Sequence, residues 1–183
     1  MTPTTIILSV VILLLVYVLY AYLTGTVTKI SQNANLNAAI PPINKIDGAT
    51  NTRYGYTIWV YVNNVDTDGS KTPDVLKVYY TNKGDKTNQS YTVNIKPQKW
   101  NQIVFNYTSS QVDLFINGHL EKTFVFDGNE PEYLASDVIS VGSTDGLDGA
   151  ICNIKYHYVP QSKGQIATSY NLLMKQNPPT NIL

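Results

Sequence analysis

From Ile6 to Leu23 the chain is built of Ile, Leu, Val, Ala and Tyr, interrupted only by Ser9, and no Lys, Arg, Asp or Glu occurs before Lys29. Wound as a helix, this run rises about 27 Å, close to the hydrocarbon thickness of a bilayer. A helix lying on a globular domain keeps one polar face, and this one has none. Its aliphatic residues together favour the bilayer by roughly 4–8 kcal/mol on an insertion scale. Tyr17, Tyr20 and Tyr22 gather at its end, where amphipathic rings prefer the membrane–water interface. Residues 1–23 are therefore expected to form a transmembrane anchor, with Ile6, Leu13, Tyr20 and Leu23 among its lipid-facing positions. A cleaved signal peptide is the competing reading. It fits less well, because Met1 to Thr5 carries no basic side chain and Thr24-Gly25-Thr26 is a poor cleavage site.

The chain thus reads as a single-pass membrane protein with its bulk on one side. Lys29 and Lys45 follow the span and no cation precedes it, which by the positive-inside rule favours the cytoplasmic side. Two N-glycosylation sequons, at Asn88 and Asn106, point the other way. The localisation stays open between a cell surface and the inner membrane of a virion.

Composition narrows the function. Thirteen basic and thirteen acidic residues give zero net charge, so binding nucleic acid by phosphate neutralisation is not expected. One cysteine, Cys152, excludes an intrachain disulfide, and two histidines supply a zinc site poorly.

Residues 24–50 read as a linker rich in Asn, Thr and Ala, with Pro41-Pro42 and room for a first edge strand. From Tyr54 onward short strands follow one another. Tyr54, Tyr56, Ile58, Val60 and Val62 share one strand face, with Trp59 and Tyr61 on the other. Val75 to Tyr80 and Tyr91 to Ile95 are further strands, and Ile103 to Thr108 and Val112 to Ile116 alternate with period two. Asn117-Gly118 supplies the two positive-φ residues of a type I′ hairpin turn, and Leu120 to Phe126 returns. Val138 to Val141 and Ala150 to Tyr158 complete the series. Near the end, Ser162 with Gln165 makes a capping box. It opens a helix whose stripe is Ile166, Tyr170, Leu173 and Met174, stopped at Asn177-Pro178-Pro179. Strands at this spacing predict an all-β, antiparallel sandwich or barrel.

Trp100-Asn101-Gln102-Ile103-Val104-Phe105-Asn106-Tyr107, followed by Val112-Asp113-Leu114-Phe115-Ile116-Asn117-Gly118, is similar to the central hairpin of laminin-G-like domains in the concanavalin A-like lectin/glucanase superfamily. Thr57-Ile58-Trp59-Val60-Tyr61 resembles the family's early tryptophan-bearing strand. Ile139-Ser140-Val141-Gly142 and Gly149 to Tyr156 resemble its closing strands. The resemblance covers roughly residues 51–175, leaving 176–183 as a tail. It implies a two-sheet jelly-roll sandwich. The chain departs from the family at Cys152 and Asn153, where members often carry acidic residues.

Glucanases on this fold place Glu-x-Asp-x-Glu along one strand, so that alternate carboxylates flank the sugar. This chain has three glutamates, Glu121, Glu130 and Glu132, and no such run. His119 and His157 read as surface residues and Cys152 as a buried, inert thiol. No catalytic residue is assigned, and a non-enzyme is expected. Asn64, Asp66, Asp68 and Ser70, with Gly69, have the oxygen spacing of a calcium loop, although the twelfth position falls on Val75. An Asx-rich turn is the plainer reading. Asp145 and Asp148 are weaker calcium candidates, and no other cofactor is implied. Tyr79, Tyr80, Tyr91, Tyr133, Tyr156 and Tyr158 are available as sugar-stacking aromatics, but the pattern picks out none of them.

Two functional expectations follow. The first is a membrane-anchored, non-catalytic module recognising a glycan or a protein. The second is a structural component of a membrane-associated assembly, such as a minor capsid protein of a large DNA virus, where the Asn, Ile, Lys and Tyr content would reflect an AT-rich genome.

Overall fold

The structure is a computed structural model that describes residues 2–24, 27–36, 52–63, 75–80, 89–126, 140, 142, 146 and 148–180. Within the first helix it describes side chains through Val18. The elements are α1 (Pro3–Thr24), β1 (Val27–Asn35), β2 (Tyr54–Val62), β3 (Val75–Tyr80), β4 (Gln89–Asn94), β5 (Trp100–Thr108), β6 (Gln111–Ile116), β7 (His119–Val125), β8 (Gly149–His157) and α2 (Lys163–Leu173). Among the described residues, eight antiparallel strands form two sheets: a six-stranded one in the order β1-β8-β2-β5-β6-β7, and the hairpin β3-β4.

α1 starts with proline in its first turn, where a missing N–H costs nothing. Ile6 and Leu13 are 53% and 69% exposed, so this apolar helix is not packed against the domain there. Tyr20 and Leu23 lie on the helix backbone, outside the described side chains. Among the described residues no helix is long and apolar enough to cross a membrane.

β1 occupies part of the segment read as a linker. It pairs with β8, from Val27 opposite His157 to Asn35 opposite Ala150. The strand expected over Val138 to Val141 falls largely outside the described residues.

The large sheet is apolar on both faces. One face meets β3-β4, and the interior between the sheets holds Val93, Ile103, Val112, Leu114, Ile116, Phe124 and Phe126. Leu76, Val78, Tyr80 and Tyr91 pack onto them from the small sheet, while Lys77 and Tyr79 face outward, the alternation of a half-buried strand. The opposite face is covered by α2. Ile166 enters between Val104 and Phe115, and Leu173 and Tyr170 close over Trp59 and Cys152. Burying each aliphatic side chain of this kind contributes about 1.5–3 kcal/mol. The capping box forms as the sequence predicts: Ser162 Oγ accepts from Gln165 N at 3.2 Å, and Ser162 N donates to Gln165 Oε1 at 2.8 Å. Met174, placed on the helix stripe by periodicity, is the C-cap residue and is 44% exposed. The helix ends before its side chain can turn inward.

Asn117 and Gly118 have φ of 52° and 82°, the left-handed pair of the expected turn. Gly118 also abuts Tyr170, so the hairpin tip is packed under α2. The chain past α2 continues to pack on the sheet. Pro179 is fully buried, and its carbonyl accepts from Asn153 Nδ2 at 3.2 Å and lies 4.0 Å from Cys152 Sγ. At either position a carboxylate would face this carbonyl oxygen, acceptor against acceptor. Asn153 sits at a bulge with φ of 50°, a conformation asparagine tolerates.

Candidate functional site

At the Asn35 end of the large sheet, β2 finishes beside the starts of β5 and β8. Tyr61 lies opposite Trp100 and opposite Ala150. The Tyr61 and Trp100 rings are 5.4 Å apart and tilted by 53°, on the face that α2 covers further along the sheet. Both are half-buried, and Trp100 packs against the edge of the Trp59–Cys152–Leu173 cluster under α2. Trp100 Nε1 donates to Asn177 Oδ1 at 2.9 Å. On the other side of Tyr61, Asn63 N donates to Asp148 O at 2.9 Å and Asn63 Nδ2 to Asp148 Oδ2 at 3.0 Å. Two aromatic rings are thus bordered by two amides and one carboxylate.

The buried Asn101 amide and the half-buried Asn117 brace this rim. Asn101, fully buried, donates to the carbonyls of Lys96 and Lys99 at 2.7 and 2.9 Å and accepts from Lys96 N at 3.1 Å. Asn117 Nδ2 donates to Asn101 Oδ1 at 3.1 Å, and Asn117 Oδ1 accepts from Gln102 N at 2.9 Å. The hairpin tip is thereby bonded to the turn that carries Trp100. Gly149 lies so close to the Tyr61 carbonyl oxygen that a Cβ would overlap it. Rings held against CH-rich ligand faces, beside polar groups that reach hydroxyls, form the usual arrangement of a small binding site.

A second polar group lies at the opposite end of the same face. Thr57 Oγ1 is 2.9 Å from both His157 Nε2 and Gln161 Oε1. Because the Gln161 oxygen can only accept, the threonine hydroxyl donates there and accepts from Nε2–H. His157 is buried, not on the surface as the sequence suggested. The strand alternation that exposes one face fails here because the 159–161 segment folds over it. Burial, reinforced by the positive charge of Lys155, lowers its pKa to about 4, so the ring is neutral. The threonine is a locked structural hydroxyl and not an activated nucleophile. Cys152 is buried as expected, and burial pushes its thiol up to about 12.

Of the other residues singled out, Asn64, Asp66, Asp68 and Ser70 lie outside the described residues, as do Asn88, Glu130, Glu132, Tyr133 and Asp145. Among the described residues no group of three His, Cys, Asp or Glu is placed to hold a metal. Asn106 is 4% exposed. Its Nδ2, the nitrogen a glycan would occupy, donates to Gln161 O at 2.7 Å. Glu121 accepts from Tyr91 OH at 3.2 Å, and His119 is exposed. Of the candidate stacking tyrosines, Tyr156 is 1% exposed within a cluster that includes Tyr54 and Tyr56, and Tyr79 is 66% exposed. Sequence reasoning noted Tyr61 and Trp100 as strand residues but missed them as a site. Their only signal was an aromatic at the end of one strand and another at the start of its partner, which is legible once the pairing is known.

No family model matches the sequence, and no curated protein does. The fold is similar to that of solved receptor-binding domains of botulinum neurotoxins. The serotype D ligand-binding domain in complex with N-acetylneuraminic acid matches with a TM-score of 0.65 and 13% identity over 84% of this chain and 46% of that one. The serotype D receptor-binding domain matches at 0.61 and 12%, over 79% and 44%. The type DC binding domain in complex with rat synaptotagmin II matches at 0.57 and 11%, over 82% and 47%. This chain thus spans under half the length of each, and at these identities the likeness is one of fold.

Proposed function

We propose that this chain is a membrane-anchored, non-catalytic recognition module that binds a glycan through the end of a laminin-G-like jelly-roll. The observation that carries the reading is the Tyr61–Trp100 pair bordered by Asn63, Asp148 and Asn177. A pyranose presents an apolar CH face to a ring and hydroxyls to the amides and carboxylate around it. The rim is braced by the buried Asn101 amide and by Asn117, so little conformational entropy is lost on binding. The similar solved domains, one bound to a sialic acid and one to a protein, support a binding role.

The anchor reading rests on α1, whose described apolar side chains stand clear of the domain and carry no charge. Its one polar residue in mid-helix, Ser9, donates back to Thr5 O at 2.9 Å, which satisfies the hydroxyl inside the helix, as an apolar surrounding requires.

The test is a glycan array probed with the full chain in nanodiscs, with calcium and with a chelator. Binding to a defined sugar class that falls at least tenfold in Tyr61→Ala and Trp100→Ala, with the unfolding midpoint of the domain retained, supports the reading. A dependence on calcium would bring in Asn64, Asp66, Asp68 and Ser70, which follow Asn63 in the sequence. Binding that survives both substitutions removes the rim from the function. Capture of a protein partner with no sugar bound replaces the glycan as ligand.

A further inference from the structure

The strand topology also sets which way the rim faces. α1 ends at Thr24 and β1 begins at Val27, so only Gly25 and Thr26 separate helix from sheet. Even fully extended, that connection spans about 10 Å. It cannot hold the domain off the membrane as a long linker would. The N-terminal end of β1 must therefore lie near the end of the helix.

The ladder carries this constraint across the sheet. Val27 pairs with His157, His157 with Gly55, and Gly55 with Asn106. These residues, with the strand ends beside them, make up one pole of the sandwich. Asn35 pairs with Ala150, Ala150 with Tyr61, and Tyr61 with Trp100, and they make up the other. The strand between the two poles is about 25–30 Å long.

The near pole also has the surface chemistry of a lipid contact. Val125 and Val159 are 61% and 51% exposed. Arg53 and the Ser109-Ser110 turn are exposed beside them. Among the described residues of this pole, 52–54, 107–111, 125–126 and 157–160, there is no carboxylate. A cation and small apolar side chains suit a headgroup layer that is anionic or zwitterionic. Asp148 lies at the far pole.

From this we infer that the pole bearing Arg53, Val125 and Val159 rests on the bilayer headgroups, and that the Tyr61–Trp100 rim points away from the membrane. This rests on the anchor reading of α1. Seated in this way, the domain offers its rim to ligands on an opposing surface or in free solution, and not to headgroups of its own membrane.

The experiment uses the full chain in proteoliposomes, with single labels introduced as Val159→Cys, Ser109→Cys and Lys99→Cys; Cys152 is buried and stays unlabelled. An environment-sensitive fluorophore is quenched by lipids spin-labelled at the headgroup. The two near-pole labels are expected to be quenched at least threefold more than the label at Lys99, and the Ser109 position covers the case in which Val159→Cys fails to fold. Equal quenching at all three positions, or stronger quenching at Lys99, overturns the inference. Extraction of the unlabelled protein by alkaline carbonate overturns the anchor reading as well, whereas resistance to extraction with equal quenching overturns the orientation alone.

Discussion

Trp59 lies flat against Tyr170, with ring centroids 5.9 Å apart and planes 12° from parallel. Trp59 is in the middle of the large sheet, paired with Gln102 on one side and Cys152 on the other, and no part of it is exposed. Tyr170 comes from a helix more than a hundred positions along the chain. This contact ties the C-terminal segment to the sheet and places the cover beside the half-buried pair Tyr61–Trp100.

Trp59→Ala should therefore destabilise the domain by about 3–5 kcal/mol, the range for removing a buried tryptophan. Tyr170→Ala should cost less, because that ring is only partly buried. Hydrogen exchange should show the loss of Tyr170 chiefly as faster exchange in α2. Urea unfolding of the full chain in detergent measures the first effect. An unchanged midpoint in Trp59→Ala would contradict the packing described.

His157 makes stability depend on pH. The unfolded imidazole binds its proton near 6.5 and the folded one near 4, so between these values the unfolded state holds more protons. Stability should be level above pH 6.5 and fall as the pH drops towards 4, by roughly 3 kcal/mol in all. Replacing the ring by an uncharged hydrogen-bonding group, as in His157→Gln, should flatten this part of the profile. A slope that persists in the variant assigns the effect to other groups.

Gly149→Ala should weaken the rim and the fold together. The new methyl group would overlap the Tyr61 carbonyl, a backbone atom that cannot swing aside. The strain is of the order of 1–3 kcal/mol, and Tyr61 is the ring it displaces. Thermal unfolding and the indole fluorescence of Trp100, against which Tyr61 packs, report the two consequences separately.

Cys152 should resist alkylation in the native protein at pH 8, because burial holds the thiol protonated and shielded. In urea it should react at the rate of a free thiol. Loosening of the covering tail by loss of its buried ring, as in Pro179→Gly, should raise the native rate by an order of magnitude or more, measured with a chromogenic disulfide. A thiol that reacts at once in the folded protein would show that the tail does not cover it.

Local chemistry made much of the framework readable. Alternation with period two marked the strands from Tyr54 to Tyr158, because successive side chains on a strand point to opposite faces. Asn117-Gly118 announced its turn, because few residues adopt two positive φ angles in succession. Ser162 and Gln165 announced the start of α2, because its free backbone N–H groups need partners close in sequence. The apolar run from Ile6 was legible for the same reason, since its signal lies within the run itself.

Tertiary structure decided what covers each face. Trp59, Gln102, Cys152 and His157 sit on the side of the large sheet away from β3-β4, and alternation alone left that side free to be solvent-exposed. They are buried because residues 159–179 return from far along the chain to close over them. The Tyr61–Trp100 rim lies at the edge of that cover and stays half-buried, with Asn177 of the covering segment bonded to Trp100. The sequence names both rings, but burial and pairing between distant segments are sums over contacts that no short window contains, so only the folded chain brings the rings together beside Asn63, Asp148 and Asn177.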